Sequence, residues 1–230
     1  MMAFIESNPI FGNAKKVLIP NGVDTKVFRP SEAAPWGNPG GAPARRVVLG
    51  LVASRLSEPR KGAHLMPHIL RGLREGLAGR EAELILVGSD PGTEFMRSVA
   101  PFCECRHVGE VSEEGKLAEI YSTFDVTVVP SLIDNFPSVV LESLACGTPV
   151  AAFRVGGLPD MIEPGRTGFL AEPGDAFGLG YSIGMTAAVP GRIDAMRHEC
   201  RKIAVDRYDL RIQAERYIAL YRSLAGAPTR

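Results

Sequence analysis

This sequence predicts an α/β fold: a Rossmann-like parallel sheet with helices on both faces and a helical C-terminal tail. Three observations lead there. Short segments such as Val47–Ala53, Leu84–Val87, Val126–Pro130 and Pro149–Phe153 are apolar but for Thr127, without polar alternation, as strands buried on both faces are. Stretches of helical length separate them, which is the rhythm of a sheet covered on both sides. The polar residues that interrupt this pattern gather just after the apolar segments, where ligands of open parallel sheets bind.

In order, Val17–Pro20 reads as a short strand running into Asn21-Gly22, a strong turn signal. Residues 30–44 are rich in Pro, Gly and Ala and read as a linker or surface loop, with Trp36 as a loop anchor. Val47–Ala53 is the first core strand, and a helix follows over 63–77, kinked or delayed by Pro67. Strand Leu84–Val87 leads to a helix over 93–100, and Arg106–Gly109 to a helix capped by Ser112 and reaching Phe124. Pro137 suits the first position of the next helix. A short helix begins after Leu158, a strand covers Thr167–Leu170, and the tail is helical over 175–188, 191–204 and 209–224. Gly178, Gly180 and Gly184 should weaken the first tail helix by up to ~1 kcal/mol each.

The 230 residues suffice for one large domain or one and a half, and carry zero formal net charge with 45% hydrophobic residues. That balance argues against a nucleic-acid-binding surface. No apolar run reaches the ~18–20 residues that span a bilayer. The start, MMAFIESNPIFG, lacks the basic and apolar regions of a signal peptide. Cys103, Cys105, Cys146 and Cys200 are scattered, so they read as structural thiols of a cytoplasmic protein. His64 and His68 stand at i,i+4, but no acidic third ligand accompanies them, and no zinc site is expected.

The stretch from Pro130 to Gly157 organises the rest. It reads as strand end, acidic loop, helix, glycine turn, strand and second glycine turn. Glu142 sits among Val139, Val140, Leu141, Leu144 and Ala145, where a carboxylate needs a partner. Either a structural donor or a ribose diol would satisfy it. Arg55 and Lys61 follow the first core strand, Gly88-Ser89-Asp90 the second, Gly109-Glu110 the third, Ser131 and Asp134 the fourth, and Gly156-Gly157 the fifth. Cations beside a helix start are what a nucleotide diphosphate requires. No GxGxxG follows a strand, and no P-loop or serine nucleophile elbow occurs.

These residues resemble a known family. The segments IPNGVDTKVF (19–28), SRLSEPRKG (54–62), LILVGSDPG (84–92), HVGEVSEEGKLAEIYSTFDVTVVPS (107–131), DNFPSVVLESLACGTPVAA (134–152) and GGLPDMIEPGRTGFLAEPGD (156–175) are similar, in this order, to the C-terminal, donor-binding half of a family 4 glycosyltransferase. That family has the B-type architecture of two Rossmann-like domains. The resemblance implies retaining transfer of a hexosyl group from a UDP- or GDP-sugar to a sugar or lipid-linked acceptor, without metal or other cofactor. It implies that Arg55 and Lys61 hold the diphosphate and stabilise its departing charge, and that Asp134 touches the donor sugar. Glu142 would take the ribose hydroxyls, backbone amides of Asn135, Phe136 and Ser138 would lie near sugar and phosphates, and Gly109 to Val111 near the base. Two residues depart from the family pattern: Asp134 stands where Glu is commonest, and Pro137 where Gly is usual.

The resemblance also sets a domain expectation. Residues 1–16 would be the remnant of a preceding domain or hinge, and 17–230 the nucleotide-sugar domain. The acceptor-binding domain, and any peripheral membrane association made through it, would be absent. Tyr217, Leu220 and Tyr221 would then expose an unpartnered apolar face. The alternative is a stand-alone nucleotide-sugar binding module acting with a separate acceptor-domain chain. An epimerase of the same architecture would need additional acid/base residues around the sugar, and none is evident.

Overall fold

The computed structural model describes residues 16–31 and 46–226. Residues 1–15 of the expected remnant, and the Trp36 loop from 32 to 45, lie outside the described residues. Six strands, β1 (Val47–Ala53), β2 (Ala82–Gly88), β3 (Glu104–Gly109), β4 (Val126–Val129), β5 (Val150–Phe153) and β6 (Gly168–Ala171), form one sheet in the order β3-β2-β1-β4-β5-β6. Every neighbouring pair is parallel. This is the expected Rossmann-like sheet. The strand order reverses between β1 and β4, and a ligand crevice forms at such a reversal.

The helices are α1 (Met66–Gly76), α2 (Thr93–Val99), α3 (Glu114–Thr123), α4 (Ser138–Ala145), α5 (Leu158–Met161), α6 (Ala176–Ala187), α7 (Arg192–Tyr208) and α8 (Leu210–Leu224). Alternate strand residues feed two cores, as the period of two requires. Val47, Leu49, Leu51, Leu84 and Leu86 pack with α1 and α6. Val48, Ile85, Val87, Val150 and Ala152 pack on the other face with α3, α4 and α7.

The structure corrects several local expectations. Val17–Pro20 joins no sheet: Val17 and Leu18 are half exposed, and the next residues instead dock on the α7–α8 junction, with Val23 N–H donating to Tyr208 O at 2.8 Å and Leu210 N–H to Val23 O at 3.1 Å. Ser112 does not cap α3, which starts at Glu114 with Glu113 in the cap position and no side-chain cap bond. Pro137 occupies the cap position of α4 and not its first turn; its φ suits either place. Pro67 does delay α1, which follows a 3-10 turn over Ala63–Leu65.

The glycines of α6 play a different part from the one expected. A Cβ on Gly180 would lie 1.8 Å from Ile69 O, and one on Gly184 2.5 Å from Leu73 O. Across the contact, a Cβ on Gly72 would lie 2.1 Å from Phe177 O and one on Gly76 2.6 Å from Tyr181 O. Four glycines therefore let α1 and α6 cross backbone to backbone, and the close packing offsets their low helix propensity.

Arginines of α7 tie it to the segment over 25–28, to the end of α4 and to the loop before β4. Arg201 donates to the carbonyls of Thr25, Phe28 and Ala145, each at 2.9 Å. Buried Arg197 donates to Phe124 O and to Asp125 Oδ1. No helix among the described residues is long and apolar enough to cross a membrane.

Candidate functional site at the β1–β4 crevice

The paired register of β1 and β4 covers only Leu49–Val126 and Gly50–Thr127, so beyond these residues the two strands run on unpaired with each other while each stays paired on its other side. The loops that leave them carry the predicted cations and acid. The β1 loop turns through a 3-10 segment at Pro59–Lys61 and is closed by Gly62, whose φ of 71° is left-handed. A Cβ there would stand 1.8 Å from Pro130 O, so the loop lies directly on the end of β4. Leu132 N–H donates to Arg60 O at 2.8 Å and fastens the two loops together.

On its other side, the acidic loop is clasped by the glycine turn after β5. Cβ atoms on Gly156 and Gly157 would meet Asp134 O at 1.7 Å and Asn135 O at 2.0 Å. Towards β2, Ser89 Oγ accepts from Leu56 N–H at 3.2 Å, and Ser89 N–H donates to Ser54 O at 3.3 Å. His107 Nε2 lies 2.9 Å from Gly88 O. The loops at the carboxyl edge are thus bound side by side, which is why a site assembled from them is held in shape.

Lys61 Nζ is 2.8 Å from Asp134 Oδ2, with side chains 22% and 11% exposed. Ser131 Oγ is a second, longer donor to the same oxygen at 3.4 Å. Arg55 lies on the same loop as Lys61, is exposed, and makes no ion pair among the described residues. One cation and one carboxylate therefore meet where the strand order reverses, with Arg55 on the same loop.

Glu142 is half-buried on α4, and the Tyr121 hydroxyl of α3 donates to its Oε2 at 2.8 Å. Burial pushes the Glu142 carboxyl above its ordinary range, against the pull of hydrogen bonds from Ser138 and Tyr121. Of the two partners considered from sequence, the structural donor is present. A carboxylate has about four acceptor sites, so one tyrosine does not exhaust it.

The other predicted residues divide. Ser138 opens α4 and is exposed. No backbone hydrogen bond is donated by Asn135, Phe136 or Ser138 among the described residues, so these amides are available at the helix start. The Phe136 ring turns away, edge-on to Tyr208 at 6.0 Å, which leaves that residue's backbone as its contribution. Gly109, with φ of 88° and open space around its Cβ position, ends edge strand β3, and half-buried Val111 lies just beyond it. They stand two strands from the crevice, at the far end of the same edge.

Tyr121 escaped the sequence reading. Tyr121 had a usable signal: it lies four residues after Leu117 on the inner side of a helix, and a buried tyrosine hydroxyl needs an acceptor. His64 and His68 are both exposed, and no group of three or more His, Cys, Asp or Glu among the described residues could hold a metal ion.

Residues 47–184 match the family described as glycosyl transferases group 1. The chain belongs to this family. D-inositol 3-phosphate glycosyltransferase of Acidothermus cellulolyticus is 32% identical over 177 residues, covering 73% of this chain and 39% of that protein. Sucrose-phosphate synthase of Thermosynechococcus elongatus superposes with a TM-score of 0.74 at 31% identity, over 92% of this chain and 53% of that one. Anabaena HepE in complex with UDP-glucose shares the fold, with a TM-score of 0.75 at 21% identity over 96% of this chain and 61% of that one. The chain spans about half the length of the curated relatives it matches. As a group 1 glycosyltransferase chain, it has the B-type Rossmann-like sheet expected of it.

Proposed function

We propose that this chain is the donor-binding, C-terminal half of a family 4 glycosyltransferase. It binds a UDP- or GDP-sugar at the β1–β4 crevice, for retaining, metal-independent transfer to a sugar or lipid-linked acceptor. The observation that carries the reading is the meeting of Lys61 and Asp134 at 2.8 Å where the strand order reverses. Arg55 stands on the same loop, and the helix behind begins with unengaged amides. Cationic side chains and helix N-terminal amides are matched to a diphosphate.

In this reading Arg55 and Lys61 stabilise the charge that grows on the diphosphate as the sugar–phosphate bond breaks, which is electrostatic catalysis by preorganised cations. The amides of Asn135, Phe136 and Ser138 add fixed dipoles. Glu142 receives the ribose hydroxyls, with Tyr121 holding its carboxylate in place. Gly109 and Val111 border the base. A module that works with a separate acceptor-domain chain would need the same donor site.

Calorimetry with UDP and GDP, with and without EDTA, tests the reading. Binding of one nucleotide diphosphate, indifferent to EDTA, is expected. Lys61→Ala and Arg55→Ala should each weaken it by ~1.5–3 kcal/mol, the worth of a charge-assisted contact. Absence of binding for both nucleotides, or unchanged affinity in both variants, would overturn it.

A further inference from the structure

We propose that Asp134 is a stand-in anion: its carboxylate neutralises Lys61 in the empty site, an incoming diphosphate displaces it, and the freed carboxylate turns to the donor sugar. This rests on the donor-site reading and deepens it, because it makes recognition of the sugar conditional on seating of the phosphates.

The geometry favours an exchange of partners over a permanent pair. Lys61 and Asp134 touch at 2.8 Å with little exposure, so an unpaired charge of either sign there would be poorly solvated, and the empty site gains by pairing them. Neither backbone is free to move away. Gly62 rests on Pro130 O, Leu132 is hydrogen-bonded to Arg60 O, and Gly156 and Gly157 clasp Asp134 O and Asn135 O from the other side. Any change must therefore come from side-chain rotation. Lysine suits this, being a compact charge with three rotatable donors on a flexible stem.

Arg55 shows the order of events. It has no ion pair among the described residues, so it is the cation that a diphosphate meets first. Once phosphate oxygens reach Lys61, the Asp134 carboxylate lies beside a like charge and loses its cation to the stronger anion. Ser131 Oγ, at 3.4 Å from Asp134 Oδ2, remains as its one neutral donor among the described residues, and the other acceptor sites of the carboxylate are open to hydroxyl groups. A nucleotide sugar supplies those hydroxyls. A bare nucleotide diphosphate does not, and leaves Asp134 displaced and under-satisfied. The exchange thus discriminates the intact donor from the spent nucleotide and assists release of the latter.

The test compares the wild-type chain with Asp134→Asn, which keeps the shape and removes the charge. UDP, GDP and inorganic pyrophosphate serve as sugar-free probes, and UDP-glucose and GDP-mannose as sugar-bearing ones, all read by calorimetry. Asp134→Asn should bind pyrophosphate and the fitting nucleotide diphosphate about three- to tenfold more tightly, because a competing ion pair of moderate strength has gone. Its preference for nucleotide sugar over bare nucleotide should fall by a similar factor. Unchanged or weaker binding of both pyrophosphate and nucleotide diphosphate would overturn the proposal. So would a sugar preference equal to that of the wild type. Should Asp134→Asn fail to fold, Asp134→Ser serves, with the same outcomes. Failure of the donor-site reading shows itself separately, as loss of all UDP and GDP binding by the wild type. Even then the pyrophosphate arm decides the exchange: tighter binding in the variant supports it, and no gain overturns it.

Discussion

The Tyr121 hydroxyl donates to Glu142 Oε2 at 2.8 Å, joining the end of α3 to the middle of α4. Tyr121 is fully buried and Glu142 half-buried, so the pair carries a carboxylate into the edge of the core. Burial nevertheless outweighs the hydrogen bonds, and the Glu142 carboxyl is raised above its ordinary range. Burial therefore costs the charged form of Glu142 more than its two hydrogen bonds return.

The sign of that shift gives the first prediction. A carboxyl raised in the folded state holds its proton more tightly there than in the unfolded chain. Its contribution is most favourable at low pH and is lost as pH rises through the folded value. Glu142→Gln should therefore gain thermal stability relative to wild type as pH rises above the ordinary glutamate value of about 4. At neutral pH it should bind nucleotide diphosphate about tenfold more weakly, through loss of a hydrogen bond to a charged acceptor. A variant that keeps nucleotide affinity and melts well below wild type at pH 8 would return Glu142 to a purely structural part.

A second prediction concerns the α1–α6 crossing. Helix propensity alone says that Gly180→Ala stabilises α6 by ~1 kcal/mol. The Cβ would stand 1.8 Å from Ile69 O, so the helices must separate. Urea denaturation should show a loss of ~1–3 kcal/mol, the usual penalty of overpacking. A gain in stability would mean that the axis of α6 shifts freely.

The third follows from Asp209, which caps α8 and accepts from Thr25 Oγ1 as well as from Arg211. Hydrogen bonding from Arg211, opposed by desolvation and aided by Thr25, holds its carboxyl down at about 2. A depressed carboxylate stabilises the fold above the unfolded value and loses that contribution as pH falls towards the folded one. Asp209→Asn should lower the melting temperature at neutral pH. The deficit should shrink between about pH 4 and pH 2, seen by circular dichroism. A deficit independent of pH would assign the effect to packing.

The last prediction addresses transfer. Positioning an acceptor hydroxyl against the sugar can supply ~7–11 kcal/mol of barrier lowering, and this chain spans about half of its relatives. The 230-residue chain should bind nucleotide diphosphate yet transfer sugar negligibly to lipid or sugar acceptors, and an acceptor-side domain supplied in trans should restore turnover. Robust transfer by the chain alone would require an acceptor site within it.

Much of this protein was legible in its order of residues. The apolar runs of β1, β2, β4 and β5 can be buried only in a sheet covered on both faces, so fold class and strand sequence followed from local chemistry. Arg55, Lys61 and Asp134 stood out because they follow such runs, and strand direction alone delivers them to one edge. What local pattern cannot hold is the identity of a partner far along the chain. That Lys61 meets Asp134, 73 residues on, and that Glu142 meets Tyr121 depended on the order in which strands pair. The same limit explains the errors. Val17–Pro20 had the composition of a strand, but the residues after it are bonded to the α7–α8 junction and not to a sheet edge, and Gly180 and Gly184 resembled flaws in a helix until the backbone of α1 was laid across them. A side chain's surroundings are fixed by contacts that close only on folding, and there the tertiary structure decided.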